Sequence, residues 1–488
     1  MTTSAELTAI DAHLLIKGAW ADAAERVAVV SPATGEAIGT VPQGTTADID
    51  HAVRAARQSG EEWAGMTVFA RAEALRRVSA ALAEHRDELA LTLALEQGKP
   101  LKREAYPEVD SAIAYFEIAG QMAITLHGTM PPSTDPRKRV FIYRQPRGVV
   151  GAIQPWNFPL ETIAMQSAPA LATGNAIVCV PAPTTSLSAY VFARCVAEAE
   201  LPAGVFNLVS GPGPVVGDAL TGHAGVDVVL FTGSSVTGRR VAERAAGKAQ
   251  ILELGGNGPF IVLDDADLDL AVPAALVSCF MCAGQQCTAA ERILVHERVH
   301  DEFAERLTST ITEEIRLGHP LDDEISMGPL NNEKVAAKMD EHVADALARG
   351  AELLCGGSRA PGHPTDLYWE PTVLSAITDE MVVANEETFG PLAPLQRISS
   401  EQQALDILNS SQYGLASSVF SRDIGRGLRF AERARTGTVI LNEGQYWFEQ
   451  HLPFGGAPGK ASGLGRAQGR ASMEQVFTET KTVFVHLG

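Results

Sequence analysis

Three side chains, far apart in a chain of 488 residues, are of the types that carry out acyl chemistry together. Cys287 lies in Gly284-Gln285-Gln286-Cys287-Thr288-Ala289, Glu253 in Leu252-Glu253-Leu254-Gly255-Gly256, and Asn157 in Pro155-Trp156-Asn157-Phe158-Pro159. A thiol attacks a carbonyl carbon, an amide N–H steadies the oxyanion, and a carboxylate moves protons. Each also has an ordinary reading. A lone cysteine usually packs in a core, a carboxylate in an apolar strand can pair with an arginine, and Asn157 could cap a helix opened by Pro159. Burial of Glu253 would raise its pKa and make it a useful base.

Composition bounds the elements that must position these groups. Apolar residues make up 45% and charged residues 20%, the balance of a soluble globular protein. The length exceeds one ordinary core and predicts two or three domains. A net charge of -20 opposes a nucleic-acid or anionic-membrane partner. No apolar run approaches the roughly 18 to 20 residues of a membrane span. Met1 to Leu15 contains Glu6 and Asp11 and lacks the pattern of a secretory signal. The cysteines at 179, 195, 279, 282, 287 and 355 do not read as a disulfide framework, so a reducing cytoplasm is the expected location. Cys279, Cys282 and Cys287 have the spacing of part of a cluster site. No second pair or nearby histidine completes it, and no metal is predicted.

Residues 46 to 125 read as helices, broken at Met130-Pro131-Pro132. Val140 to Arg144 reads as an edge strand or hairpin arm. Apolar strands then alternate with helices: strands Gly148 to Ile153, Ala176 to Val180, Val205 to Val209, Val226 to Phe231 and Gln250 to Leu254, with helices Leu160 to Leu171, Leu187 to Ala199 and Val236 to Ala246. This is the pattern of a parallel α/β sheet. A second α/β block follows, with helices Leu268 to Cys282, His300 to Ile315, Asn332 to Arg349 and Ile424 to Ala434. Its strands are Ile293 to His296, Ser417 to Phe420 and Thr438 to Leu441. Thr478 to Val485 alternates like an exposed strand that needs a partner.

Two turns could cradle a phosphate. Gly211-Pro212-Gly213-Pro214-Val215-Val216-Gly217 resembles a dinucleotide fingerprint with one residue too many in its last spacing. Phe231-Thr232-Gly233-Ser234-Ser235-Val236-Thr237-Gly238 joins strand to helix and offers a helix N-terminus; an ordinary capped turn is the rival. Asn157 falls at the carboxyl end of a strand, where ligands of α/β sheets collect.

Taken in order, these motifs resemble the aldehyde dehydrogenase superfamily, in its hydrolytic, NAD(P)-dependent branch. Further matches are Glu386-Glu387-Thr388-Phe389-Gly390-Pro391, Asn409 with Tyr413-Gly414-Leu415-Ala416, Gly437 to Asn442, Pro453-Phe454-Gly455-Gly456 and Ser462-Gly463-Leu464-Gly465-Arg466. The resemblance implies an α/β fold with a Rossmann-type cofactor domain (1–124 and 146–255), an α/β catalytic domain (256–469) and a β oligomerisation arm (125–145 and 470–488) pairing subunits into a homodimer or homotetramer. It implies Cys287 as nucleophile, Asn157 with the Cys287 N–H as oxyanion donors, and Glu253 as the base that releases the acid. It places NAD, with NADP open, against Ile153, Gln154, Pro155, Trp156, Val180, Gly213, Gly217, Phe231, Thr232, Gly233, Ser234, Leu254, Glu387 and Phe389. Tyr115, Glu161, Met165, Gln286, Thr288, Tyr446, Trp447 and Phe448 would line the aldehyde's tunnel. The aromatic residues suit an apolar or aromatic aldehyde, with packing of this loop against a neighbouring subunit as the rival reading. Met165 stands where semialdehyde-specific relatives bind a carboxylate with arginine.

The sequence also departs from the family. Val180 replaces the lysine that meets the adenosine ribose, and Pro183 replaces the nearby glutamate, so neither attraction nor repulsion of a 2′-phosphate is encoded there. Gln166 and Ala467 replace a lysine–glutamate relay near the base, which predicts that Glu253 works with solvent. Pro453 to Lys460 carries two extra residues before Ser462-Gly463, so subunit contacts there would differ in detail. Two rival activities remain: a CoA-acylating dehydrogenase, which typically lacks the glutamate, and a cofactor-free thiol esterase. A non-catalytic protein on the same fold is the third alternative.

Overall fold

The computed structural model describes residues 9–488; the start of the segment read for a secretory signal lies outside them. Two sheets dominate. The first has eight strands and the second seven. In the first, Ala249–Glu253, Val228–Thr232, Val149–Ile153, Ala176–Val180 and Phe206–Leu208 lie side by side and parallel. These strands are mostly apolar because helices cover both faces; every residue of Ala176–Val180 is buried. In the second, Thr372–Ser375, Leu392–Ile398, Arg292–His296, Pro259–Val262, Ala416–Phe420 and Thr438–Leu441 are parallel, with Glu352–Cys355 antiparallel at one edge. The fold is that of the α/β class predicted.

Helices Thr46–Gly65, Val68–Glu84, Arg86–Gln97 and Tyr106–Ile124 fill the segment expected to be helical. Thr45 and Asp48 close a capping box at the first of them, satisfying amides that would otherwise lack partners. Tyr106–Ile124 packs on Pro159–Ala172 through a core including Val109, Phe116, Ile163 and Ala168. Thr478–His486 finds its partner within the chain, pairing antiparallel with Lys138–Pro146 from Thr478↔Pro146 to His486↔Lys138. This two-stranded ribbon leaves Phe141, Tyr143, Phe484 and Val485 exposed.

The helix expected over Leu268 to Cys282 ends earlier, at Phe280. Cys282 and Ala283 turn left-handed, with φ of 56° and 52°, and Gly284 follows at 70°. Tertiary contacts override helix propensity here. The Cys282 N–H donates to Glu104 at 2.9 Å, and a Cβ on Gly284 would lie 2.1 Å from the Gly390 carbonyl oxygen. Only glycine fits that approach, and the resulting kink sets the direction in which the chain enters Gln285 to Cys287. The short strands Ile10–Asp11, Arg26–Val30 and Ala37–Pro42 form a further sheet with no sequence-based counterpart. Two of them are too short or too exposed to show a periodic apolar pattern.

Candidate active site

The parallel register brings the expected cofactor residues to one edge of the first sheet. Ile153 pairs with Phe231 and Val180, and Thr232 with Glu253, so four strands end together. From that edge run the turns carrying Gln154 to Asn157 and Gly233 to Ser235, with Leu254 to Gly256 beyond Glu253. Ser234 caps the Ser235–Arg244 helix, accepting from the Thr237 N–H. Gly238 in its first turns would place a Cβ 2.3 Å from the Leu254 side chain; its absence lets the helix settle onto the strand. Gly213 is exposed with open space around it, and Gly213–Gly217 forms a π-helical turn. Trp156 meets Phe389 edge to face, ring centroids 5.4 Å apart. Phe389 is itself left-handed (φ 64°). The buried Glu291 carboxylate holds that backbone by accepting from the Thr388 and Phe389 N–H groups at 2.6 and 2.7 Å.

Glu253 is 4% exposed, and neither carboxylate oxygen has a hydrogen-bond partner. Burial pushes its pKa well up; the Arg466 charge opposes this without forming an ion pair with it. The arginine-paired reading of Glu253 is therefore corrected: Arg466 spends its donors on the Gly456 and Gly465 carbonyls. Cys287 and Cys355 are half-buried, whereas Cys179, Cys195, Cys279 and Cys282 are buried. Burial, then the Glu253 and Glu387 charges, push the Cys287 thiol pKa up, with Glu161 adding to the effect. Three carboxylates thus act electrostatically on this one sulfur. A Cβ on Gly256 would sit 2.0 Å from the Cys287 carbonyl oxygen, so the turn after Glu253 presses directly on the cysteine's backbone.

Asn157 does not cap the helix after it. Phe158 occupies the cap position, and the Asn157 side-chain N–H donates 2.9 Å to the Gln285 carbonyl, two residues before Cys287. The Asn157 carbonyl accepts from Lys99 Nζ at 2.8 Å, and Lys99 forms an ion pair with Glu108 at 2.5 Å. Sequence reasoning missed Lys99, Glu108 and Glu291. Their partners lie far away along the chain, and no local spacing marks them. The three thiols of the would-be cluster face different neighbours. Cys279 donates to the Ala290 carbonyl, and Cys282 lies between Gln97 and Asn157. Among the described residues no group of three metal-ligating side chains converges.

Gln166 bridges the sheet edge, accepting from Gln154 Nε2 at 3.0 Å and donating to Thr232 Oγ1 at 3.2 Å. Ala467 is buried, and its N–H donates to the Phe454 carbonyl. The paired replacement therefore leaves no charge without its partner. The stretch expected to carry extra residues is tied within the chain: Lys460 Nζ donates to the Asn409 and Ser411 carbonyls at 2.8 and 2.5 Å, at the end of the Glu401–Ser410 helix. A cation there complements the helix dipole.

Among the residues expected to line the aldehyde's tunnel, Tyr115 is buried and its hydroxyl donates to Gln468, whose amide donates 3.0 Å to the Glu449 carbonyl. Ser111 donates to Glu161 at 2.8 Å and accepts from Gln450 at the same distance. The Tyr446 hydroxyl donates to Glu443 at 2.6 Å. The loop from Glu443 to Gln450 is thereby tied to the helices bearing Tyr115 and Glu161. Met165, Gln286 and Thr288 are buried, while Trp447 and Phe448 are exposed. Burial raises the Glu161 pKa to about 7. Neither Glu161 nor Glu443 forms an ion pair among the described residues.

Residues 20–483 match the aldehyde dehydrogenase family model. The chain belongs to the aldehyde dehydrogenase family, the family its ordered motifs resemble. It is 42% identical over 473 residues to a 3-sulfolactaldehyde dehydrogenase of Pseudomonas putida, covering 96% of each chain. It is 40% identical to an NADP(+) succinate-semialdehyde dehydrogenase of Escherichia coli, covering 97% of each. A betaine aldehyde dehydrogenase from Staphylococcus aureus, solved with NAD+ and a BME-modified cysteine, superposes with a TM-score of 0.93 at 35% identity, covering 97% of each chain.

Proposed function

We propose that this protein oxidises a neutral, apolar or aromatic aldehyde to its carboxylic acid with NAD, NADP being the open alternative, through a thiohemiacetal and then a thioester on Cys287. The observation that carries this reading is the buried, unpartnered Glu253 carboxylate acting on the half-buried Cys287. A carboxylate with no hydrogen-bond partner is costly to bury unless it is used. Glu253 has free oxygens to accept a proton from the thiol, release it to solvent, and then accept one from the water that attacks the thioester. The Cys287 sulfur bonds to the aldehyde carbon. The Asn157 amide and the Cys287 N–H receive the oxygen's developing charge. Bound NAD(P) supplies the hydride acceptor. Water then cleaves the C–S bond, releasing the acid and restoring the thiol. Retention of Glu253 favours this hydrolytic route over acyl transfer to CoA.

The residues fit NAD(P) unevenly. The capped helix N-terminus at Ser234 suits a pyrophosphate, and the Trp156–Phe389 pair with Glu387 suits the nicotinamide end. Burial raises the Glu387 pKa to about 7, and the Gly256 N–H donates to it at 2.8 Å. At the adenosine end, the buried Val180 and the proline at 183 offer no polar side-chain contact to the ribose. In this reading the Lys138–Pro146 and Thr478–His486 ribbon, with its exposed Phe141 and Phe484, joins subunits of a homodimer or homotetramer. A reducing compartment such as the cytoplasm keeps Cys287 a thiol.

Replacing Asn157 by alanine should lower kcat by about 10²–10³-fold, the usual effect of losing one oxyanion donor. Steady-state kinetics check this; a change confined to KM would remove Asn157 from the role.

Succinate and glutarate semialdehydes carry an anionic tail. Here Glu161 and Glu443 stand without cationic partners, and Met165 offers no charge. A neutral aromatic aldehyde should therefore have a kcat/KM at least about tenfold above that of succinic semialdehyde, or about 1.4 kcal/mol. The Glu161→Gln substitution should narrow that gap. An aldehyde panel run with both cofactors tests the preference, and a semialdehyde outperforming every neutral substrate would overturn it.

A further inference from the structure

Asn157 can serve a reacting oxygen only if the turn that carries it is held still. That turn joins the Val149–Ile153 strand to the Pro159–Ala172 helix. What grips it from beneath is a single buried ion pair. Lys99 follows Gly98, which is left-handed at φ +101° and packs against Pro32 and Pro329. The lysine's Nζ donates 2.8 Å to the Asn157 carbonyl and 2.5 Å to Glu108 Oε2, and lies 3.8 Å from the centroid of the Phe158 ring. The other oxygen of Glu108 accepts from the N–H groups of Leu160 and Glu161 at 2.9 and 3.2 Å. The Asn157 side chain, in turn, reaches the Gln285 carbonyl. Side-chain exposure is 0% for Lys99 and 1% for Glu108, so water cannot replace either partner. The pair therefore fixes the main chain on both sides of Pro159, which has no N–H of its own to help.

We propose that Lys99, with Glu108 as its counter-charge, is a positioning residue that aims the Asn157 amide at the reacting oxygen. The pair acts through the backbone of residues 157 to 161 and touches neither the aldehyde nor the cofactor. Its effect on rate comes from orientation, since a displacement of about 1 Å in a positioned group can cost about a hundredfold. This inference rests on the oxyanion role given to Asn157 above.

A double-mutant cycle separates the two claims. Lys99→Met, Asn157→Ala and the double variant are compared by kcat per active site, counted by titration of Cys287 with iodoacetamide. Lys99→Met should lower kcat about tenfold to a hundredfold while NADH affinity and the alkylation rate of Cys287 stay within about twofold of the wild type. In the Asn157→Ala background the same substitution should change kcat less than about twofold. Equal losses in both backgrounds would overturn the positioning role and leave a purely structural ion pair. Full activity in Asn157→Ala alone would instead overturn the oxyanion reading. Should Lys99→Met not fold, the paired Lys99→Met/Glu108→Leu protein removes both members of the ion pair, leaving Glu104, whose pKa burial raises to about 7, and is put through the same cycle. Coupling to Asn157 is expected there too, and additivity contradicts the proposal.

Discussion

Replacing Cys287 by alanine or serine should abolish aldehyde oxidation, with a fall of at least about 10⁴-fold in kcat that no aldehyde concentration restores. The magnitude follows from losing the nucleophile itself, which disables a catalytic group acting as a unit. Serine is the sharper variant. It keeps the volume and places an oxygen where the sulfur was, but its hydroxyl is far less acidic than the thiol. The surroundings would not compensate: burial and the Glu253 and Glu387 charges already oppose an anion at this position. The fold should be indifferent to the change, because Cys287 is only half-buried. Retained melting temperature beside lost turnover is thus the expected pair of readings. Ester turnover without cofactor by the wild type, coupled to no aldehyde oxidation, would point instead to a thiol esterase.

Glu253→Gln should stall the enzyme after its first turnover. Thiol attack and hydride loss still occur, more slowly, but no carboxylate remains to activate water, so NADH appears once per active site and steady-state turnover falls by about 10²–10⁴-fold. In the wild type the deacylation rate should rise with pH through the raised pKa of Glu253, since only the ionised carboxylate accepts a proton. The same shift has a consequence for stability. The fold favours the protonated form of Glu253, so its contribution to stability is fully present below the ordinary carboxyl range near 4.5 and is lost as pH climbs through the raised folded pKa. Glutamine does not titrate. The variant should therefore melt at or above the wild type at pH 8, with the difference closing in acid. Thermal melts across pH check the sign.

Much of this site was legible in the sequence, for identifiable reasons. Ala176–Val180 and Thr438–Leu441 are predicted to the residue because a short apolar run bounded by turn residues admits few other readings. Glu253 stands out as a charge in an apolar strand before two glycines, and the structure shows the burial that this placement implies. The carboxyl-end position of Asn157 follows from strand–helix alternation. What could not be read is whatever depends on contacts across the chain. The kink at Cys282 and Ala283 comes from Glu104 and Gly390, and nothing in Leu268 to Cys282 announces it. Lys99 looks like a surface lysine until its partners are seen to be Glu108 and the Asn157 carbonyl. The cap role offered for Asn157 failed because its amide finds the Gln285 carbonyl instead.

The tuning of the site is less ordinary than its chemistry. The Gln154–Gln166–Thr232 chain holds the sheet edge without a charge, and in the proposed reading Val180 and Pro183 leave the adenosine end without polar side-chain contacts. Both changes lie away from the sulfur. On the proposed reading they would bear on cofactor choice and on the pH dependence of acid release, while Cys287, Glu253 and Asn157 would supply the thioester chemistry.

The most direct measurement is intact and peptide-level mass spectrometry of the Glu253→Gln protein, quenched in acid after mixing with NAD and a neutral aromatic aldehyde. The account predicts an added mass equal to the acyl group, mapped to the peptide containing Cys287 and present in proportion to the NADH formed. NADH released in the first turnover with Cys287 unmodified would contradict it.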